Sequence, residues 1–295
     1  MVLKARHGGA ARVRQETQGL GMVARIFSWA ATDSERLATV GGLRAAKGRH
    51  GAFAQVTADS AAEAEAAEAA GIEMVVCRAG NVSSVRQGSR RLFVTAALGF
   101  AEAVTDAEIL QTAFKALTDG ADAVITARRL EVVSLLAAED IPVVGHLGFV
   151  PRKSTWVGQV RAFGKTADEA VELFHRFRRL EEAGAFAVEA ELMPARLMAA
   201  ISARSGLVTV SLGSGPAAEV VFLFTSDICG ETARVPKHAR RYGDIARLRR
   251  QIDEERRTAL AAFRADVGDN SFPLAAETAS MPDEAFEEFL NRIES

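Results

Sequence analysis

The stretch IPVVGHLGFVPRKSTWVGQVRAFGKTADEA, Ile141 to Ala170, decides how the rest of the chain is read. Ile141 to Val144 is a short apolar run suited to a buried strand, and it leads through GHLG into a polar loop. Thr166 and Glu169 then form a capping-box pattern for a helix that runs to a stop at Gly184. Strand, polar loop and helix in that order make one unit of an alternating α/β protein.

The unit recurs on both sides. Upstream, AFAQV (Ala52 to Val56) precedes SAAEAEAAEAAG, a helix capped by Ser60 and stopped at Gly71. EMVVC (Glu73 to Cys77) leads into the polar RAGNVSSVRQGSR, RLFVTA into the helix DAEILQTAFKALTDG, and DAVIT (Asp122 to Thr126) into the helix LEVVSLLAAED. Downstream, AFAVEAEL is followed by the helix PARLMAAISARSG. LVTVSLG and VVFLFTSD are then the seventh and eighth strands, before the long amphipathic YGDIARLRRQIDEERRTALAAFRAD. Eight such units predict a (β/α)8 TIM barrel over residues 51–268, with an N-terminal extension and helix over 1–50 and a C-terminal tail with a short helix over 269–295. The rival is an open doubly wound sheet, which normally carries a glycine-rich fingerprint after its first strand; VTADSAAEA has no glycine.

Composition narrows the class of function. With 36 Lys and Arg against 38 Asp and Glu, the formal charge of -2 gives no electrostatic reason for nucleic acid or an anionic membrane as partner. No apolar run approaches the length of a spanning helix. Cys77 and Cys229 lie far apart and fit no zinc or redox spacing, so a reduced, cytoplasmic protein is expected. The basic N-terminus lacks the apolar segment of a secretory signal, and Met22 is an alternative start to Met1.

Barrel enzymes carry their chemistry at the C-terminal ends of the strands. There the chain offers Arg78, Gly80 and Asn81, then Arg128 and Arg129, His146, the pair Glu189 and Glu191, Ser211 at the head of the glycine-rich SLGSGP, and Ser226 with Asp227. Glu189 and Glu191 are two apart and so share one face of their strand; turned inward, at least one becomes a desolvated carboxylate fit for general-base work.

The opening stretch, together with LEEAGAFAVEAELMPARL, SLGSGP, PKHARRYGDI and Phe272-Pro273, resembles the ketopantoate hydroxymethyltransferase family. The resemblance runs from about residue 50 to 273 and needs no gap between 141 and 197. It implies a barrel of the phosphoenolpyruvate mutase/isocitrate lyase type. The implied enzyme takes a proton from the carbon beside a 2-oxo acid's carbonyl and adds the enolate to a one-carbon unit from methylenetetrahydrofolate. By the same resemblance Glu191 is the base, His146 is the GHLG histidine, and the protein is a homo-oligomer. The family also holds magnesium on three acidic residues, which here correspond to Ala79 (or Arg78), Ala97 and Ala127, and a substrate-contacting Lys corresponds to Ile125. Alanines offer no ligand atom, so magnesium is not expected.

Positive charge is then expected from arginine, with Arg78 and Arg128 (and Arg129 beside it) holding a small anionic substrate together with Gly80, Asn81 and Ser211. Two readings stay open: a metal-independent transferase or lyase acting on a C–C bond through Glu191 and His146, or a catalytically silent relative that binds an anionic metabolite or a protein partner.

Overall fold

The computed structural model describes residues 23–294; the basic N-terminal segment and the choice between Met1 and Met22 lie outside them. A hairpin of β1 (Ala24–Phe27) and β2 (Asp33–Arg36) is followed by α1 (Val40–Ala45). Eight parallel strands come next: β3 (Phe53–Thr57), β4 (Met74–Arg78), β5 (Phe93–Ala97), β6 (Ala123–Thr126), β7 (Val143–Gly148), β8 (Ala187–Glu191), β9 (Val208–Leu212) and β10 (Val220–Leu223). β10 pairs back onto β3 and closes them into the expected barrel.

Strand parity explains why the runs are apolar throughout. Val75, Cys77, Val94, Ala96, Val188 and Ala190 pack outward against helices, while Phe53, Met74, Phe93, Ile125, Val144 and Val210 fill the interior. The outer layer comprises α2 (Ala61–Ala69), α3 (Val82–Gly88), α4 (Asp106–Thr118), α5 (Leu130–Ala138), α7 (Ala167–Glu182) and α8 (Ala195–Ser202); the single turn α6 (Ser154–Val157) lies in the loop after β7. β9 runs into β10 without a helix between, and α9 (Thr225–Ile228) follows β10.

Local chemistry sets the helix starts. Ser60 caps α2 by accepting from the Glu63 amide, and Thr105 with Glu108 forms a complete capping box on α4. At α7 the box expected from Thr166 and Glu169 is half formed. Thr166 accepts from the Glu169 amide, but the Glu169 carboxylate reaches back to the amides of Gly164 and Lys165. The polar segment RAGNVSSVRQGSR, given no element from the sequence, folds as a 3-10 turn and then α3, because Val82 and Val85, three apart, bury one face.

Asp122, at the start of β6, ties the lower end of the barrel together. Its carboxylate accepts from Arg36 Nε and Arg86 Nη2, each at 2.6 Å, and from the Val94 amide at 2.8 Å. β2, α3 and β5 are thereby anchored to one anion whose side chain is 10% exposed.

By its internal contacts the chain divides into two compact units. The first contains the hairpin and the barrel, through Ile228 and with Pro236–Arg240. The second comprises Cys229–Val235 and the chain from Arg241 onward. It holds α10 (Ile245–Asp269), capped by Asp244 and ended by Asn270 in the left-handed region, and α11 (Asp283–Ile293). The helix assigned from sequence to the eighth barrel unit is thus α10, in the second unit, and the barrel unit's last helix is α9 rather than a segment reaching residue 268. None of the described helices is long and apolar enough to cross a membrane.

Candidate active site

β7 and β8 run side by side with His146 opposite Glu189 and Gly148 opposite Glu191. Because inward positions alternate, His146, Glu189 and Glu191 all project to the interior face at the C-terminal end of the barrel. The two glycines of GHLG make this possible. A Cβ on Gly145 would meet the Leu180 side chain of α7 at 2.3 Å, so glycine there lets helix and strand approach. Gly148 has φ of 86°, and a Cβ there would lie 2.1 Å from the Glu191 carbonyl oxygen. Gly148→Ala is therefore expected to destabilise the barrel by about 2 kcal/mol or more and to displace Glu191. A urea midpoint equal to the parent's would refute this.

The three side chains form one ionic cluster, in which His146 and Glu191 are hydrogen-bonded. His146 Nε2 lies 3.0 Å from Glu191 Oε2 and 3.8 Å from Glu189 Oε1. Both carboxylates are buried, Glu189 with 6% and Glu191 with 8% of its surface exposed. Burial pushes the Glu189 carboxyl up to about 7, against the attraction of His146 and aided by repulsion from Glu191. Burial opposes charge on His146, but the hydrogen bond to Glu191 and the two nearby carboxylates outweigh it and raise the imidazole above its ordinary value.

His146 and Glu189 stand in the wall of a cavity of about 490 Å³, together with Thr57, Asp59, Arg78, Ala97, Ala127, Phe222 and Ser226. A larger cleft of about 850 Å³ lies by the N-terminal strand ends, beside Arg36 and Arg86. There the arginines are occupied by Asp122, so the barrel mouth is the better candidate for chemistry.

The expected anion-binding residues separate into two groups. Arg78 lines the cavity with its side chain 80% exposed and its Nε 3.9 Å from Asp59. Asn81, by contrast, donates to Asp59 at 2.9 Å, and Gly80 has open space beside it. Arg128 does not fill the role expected of it. Its Nη2 donates to the carbonyls of Gly99, Phe100 and Ala103, which pins the loop after β5. Arg129 pairs with Asp106 at 2.7 Å at the surface. Ser211 also departs from expectation: it has the parity of Ala190, faces away from the interior, and closes its own turn by donating to the Gly215 carbonyl and accepting from the Ser214 amide.

Sequence reasoning missed Asp59. It lies just past β3, accepts from the Arg78 amide at 2.9 Å and lines the cavity. Its signal was an acid after the first barrel strand, in VTADSAAEA, a segment noted only for its lack of glycine. Arg152 was missed too; it packs over the Phe100 ring, 4.1 Å from its centroid.

The magnesium implied by resemblance does not fit the residues present. Ala97 and Ala127 offer methyl groups to the cavity, and Ala79 is a buried alanine. The ligand atoms of His146, Glu189 and Glu191 lie within 4.8 Å of one another, close enough for a cation to bridge. His146 Nε2 is engaged with Glu191 at 3.0 Å, so a metal there would have to displace that hydrogen bond to reach the nitrogen lone pair.

A family model described as ketopantoate hydroxymethyltransferase matches residues 78–275. Several curated relatives carry the name 3-methyl-2-oxobutanoate hydroxymethyltransferase. The one from Roseiflexus sp. (strain RS-1) is 35% identical over 163 residues, covering 55% of this chain and 56% of that protein. The Deinococcus radiodurans relative is 34% identical over 213 residues, 69% of this chain and 72% of its own length. The Acidothermus cellulolyticus relative is 31% identical over 276 residues, 84% of this chain and 99% of its own length. The chain thus spans little more than half of the first of these proteins and nearly all of the third. Among solved structures, a phosphoenolpyruvate phosphomutase from Streptomyces platensis subsp. rosaceus aligns over 87% of this chain and 99% of its own, at 13% identity and a TM-score of 0.47. That likeness adds nothing to the barrel the strand pairing already shows. With the family model matching well over half of the residues, the chain belongs to the ketopantoate hydroxymethyltransferase family.

Proposed function

We propose that the protein is a divergent hydroxymethyltransferase-type enzyme. It makes or breaks a C–C bond next to the carbonyl of a 2-oxo acid or a related small anionic substrate, without the family's magnesium. The observation that carries this reading is the buried cluster of His146, Glu189 and Glu191 on the inner face of the barrel mouth. Glu191, held by His146, acts as general base and takes the proton from the carbon beside the carbonyl. The electron pair passes to the carbonyl oxygen, and the enolate carbon adds to an electrophilic one-carbon unit. Methylenetetrahydrofolate is the donor that the family resemblance suggests. We read the enzyme as cytoplasmic, in keeping with Cys77 and Cys229 forming no disulfide, and as self-associating by the family resemblance alone.

Arg78 is the cationic side chain that lines the cavity, and it meets the substrate's carboxylate there. Arg78→Met is expected to weaken binding of 3-methyl-2-oxobutanoate about fivefold, as for a solvent-exposed charge contact. Titration calorimetry showing unchanged affinity would remove Arg78 from the site. The reaction itself is tested by proton NMR, following loss of the C3 proton of 3-methyl-2-oxobutanoate into D2O. Enzyme-dependent exchange that persists in EDTA supports the reading. Exchange that requires added magnesium refutes the metal-free form, and no exchange with any 2-oxo acid rejects the enzyme.

A further inference from the structure

An enolate forms slowly unless something positive or proton-bearing meets its oxygen, and the alanines at the implied metal positions leave that task unassigned. Three features of Glu189 bear on this. It stands in the cavity wall beside His146. It is more than nine-tenths buried. Among the described residues its carboxylate has no hydrogen-bond partner, its nearest ionic neighbour being His146 Nε2 at 3.8 Å. Glu191, two residues along the same strand, is already engaged with His146 at 3.0 Å. Two carboxylates and one imidazole within 4.8 Å of one another cannot all be ionised without net negative charge in a desolvated space. Since Glu191 shares the imidazole's proton, the carboxyl that stays neutral is Glu189.

We propose that Glu189 is a further catalytic residue, a neutral carboxylic acid whose O–H donates to the carbonyl oxygen of the substrate and stabilises the enolate in place of a divalent cation. This inference rests on the function proposed above. Glu191 takes the C–H proton and the C–H electron pair becomes the enolate C=C. The carbonyl π pair moves onto oxygen, which Glu189 meets with its proton. When the carbon attacks its electrophile, the C=O re-forms and the proton remains with Glu189. The same device, an apolar site that keeps a carboxylic acid protonated so that it can donate, is known from other enolising enzymes.

The surroundings support an acid in this role. Facing Glu189 inside the barrel are uncharged side chains: Gln55 from β3, Thr95 from β5, Ile125 from β6 and Val210 from β9. The charged groups nearby are His146 and Glu191, and the cavity adds Asp59, Glu63 and Arg78, with Arg78 lying 3.9 Å from Asp59. Deprotonation of Glu189, whose carboxyl sits near 7 through burial, would remove the donor; the rate should therefore fall as pH rises through that value.

The test uses the full chain in EDTA, with 3-methyl-2-oxobutanoate exchange by proton NMR between pH 5.5 and 9, and oxalate, a planar mimic of an enolate, as the binding probe. The parent is expected to lose exchange above about pH 7 and to bind oxalate more weakly there. Glu189→Leu is expected to lose exchange by about 10²–10³-fold, the cost of one oxyanion donor. Glu189→Gln keeps an N–H donor, so it is expected to retain partial exchange while losing the alkaline fall and the pH dependence of oxalate affinity. If the Leu variant fails to fold, the Gln profile still decides. An unchanged alkaline limb in Glu189→Gln overturns the assignment while leaving the enzyme reading intact. Exchange that EDTA abolishes and a divalent ion restores overturns it in favour of a metal. Absence of exchange in the parent rejects both this inference and the function it rests on.

Discussion

Replacing Glu191 by glutamine is expected to lower enzyme-dependent exchange of the 2-oxo acid by about 10²–10⁴-fold, the usual contribution of a general base. The substitution is close to isosteric and its amide can still pair with His146 Nε2, so the barrel should remain folded. What it removes is the basic oxygen that receives the carbon-bound proton. It also removes one of the two carboxylates that raise His146, so the imidazole should titrate at lower pH than in the parent. Proton NMR reads both effects on one sample: substrate exchange for the chemistry and the imidazole resonances of His146 for the electrostatics. A loss of less than tenfold with a normal His146 shift would show that the proton is taken elsewhere. An unmoved imidazole would show that the pair at 3.0 Å is not formed in solution.

The second large effect is structural and far from the cavity. Asp122→Ala is expected to cost about 3–5 kcal/mol, the range for removing one partner of a buried ion pair. The cost arises less from lost attraction than from what is left behind. The Arg36 and Arg86 side chains, 4% and 12% exposed, would keep their charges with no anion, and the Val94 amide would lose its acceptor. Arg25 and Asp33 provide the contrast, with a similar distance of 2.7 Å but side chains 78% and 53% exposed. Water and salt screen that pair, so Asp33→Ala should leave the unfolding midpoint where it was. Urea unfolding of the two variants side by side distinguishes the cases; equal midpoints would mean that burial of Asp122 contributes nothing.

The barrel was legible in the chain because its causes are local and periodic. Runs such as Met74 to Cys77 are apolar on both faces because both faces are covered, and strands alternate with helices, some of them capped by side chains, as at Ser60 and Thr105. The two glycines of GHLG and the shared face of Glu189 and Glu191 were likewise readable, since strand parity alone puts alternate residues on one side. Other features escaped for physical reasons. α3 was hidden because its apolar face is only Val82 and Val85 within a polar segment. The hairpin of β1 and β2 lies before the repeating units and its strands show no sustained apolar run.

The site divides along the same line. Residue types and strand-end positions were enough to name Glu191, His146 and Arg78 as candidates, and the family resemblance placed alanines at the implied metal positions. Direction was not available, and direction removed two of the expected ligands: Arg128 turns to the carbonyls of the loop after β5, and Ser211 to its own turn. Distance was not available either. That His146 lies 3.0 Å from Glu191 and 3.8 Å from Glu189, on the next strand, depends on the register between β7 and β8. The sequence by itself determined the alternating units and the inventory of chemical groups, because both follow from near neighbours along the chain. Only the tertiary structure decided which groups meet and which are dry, because burial and long-range pairing belong to the closed barrel and to no single segment of it.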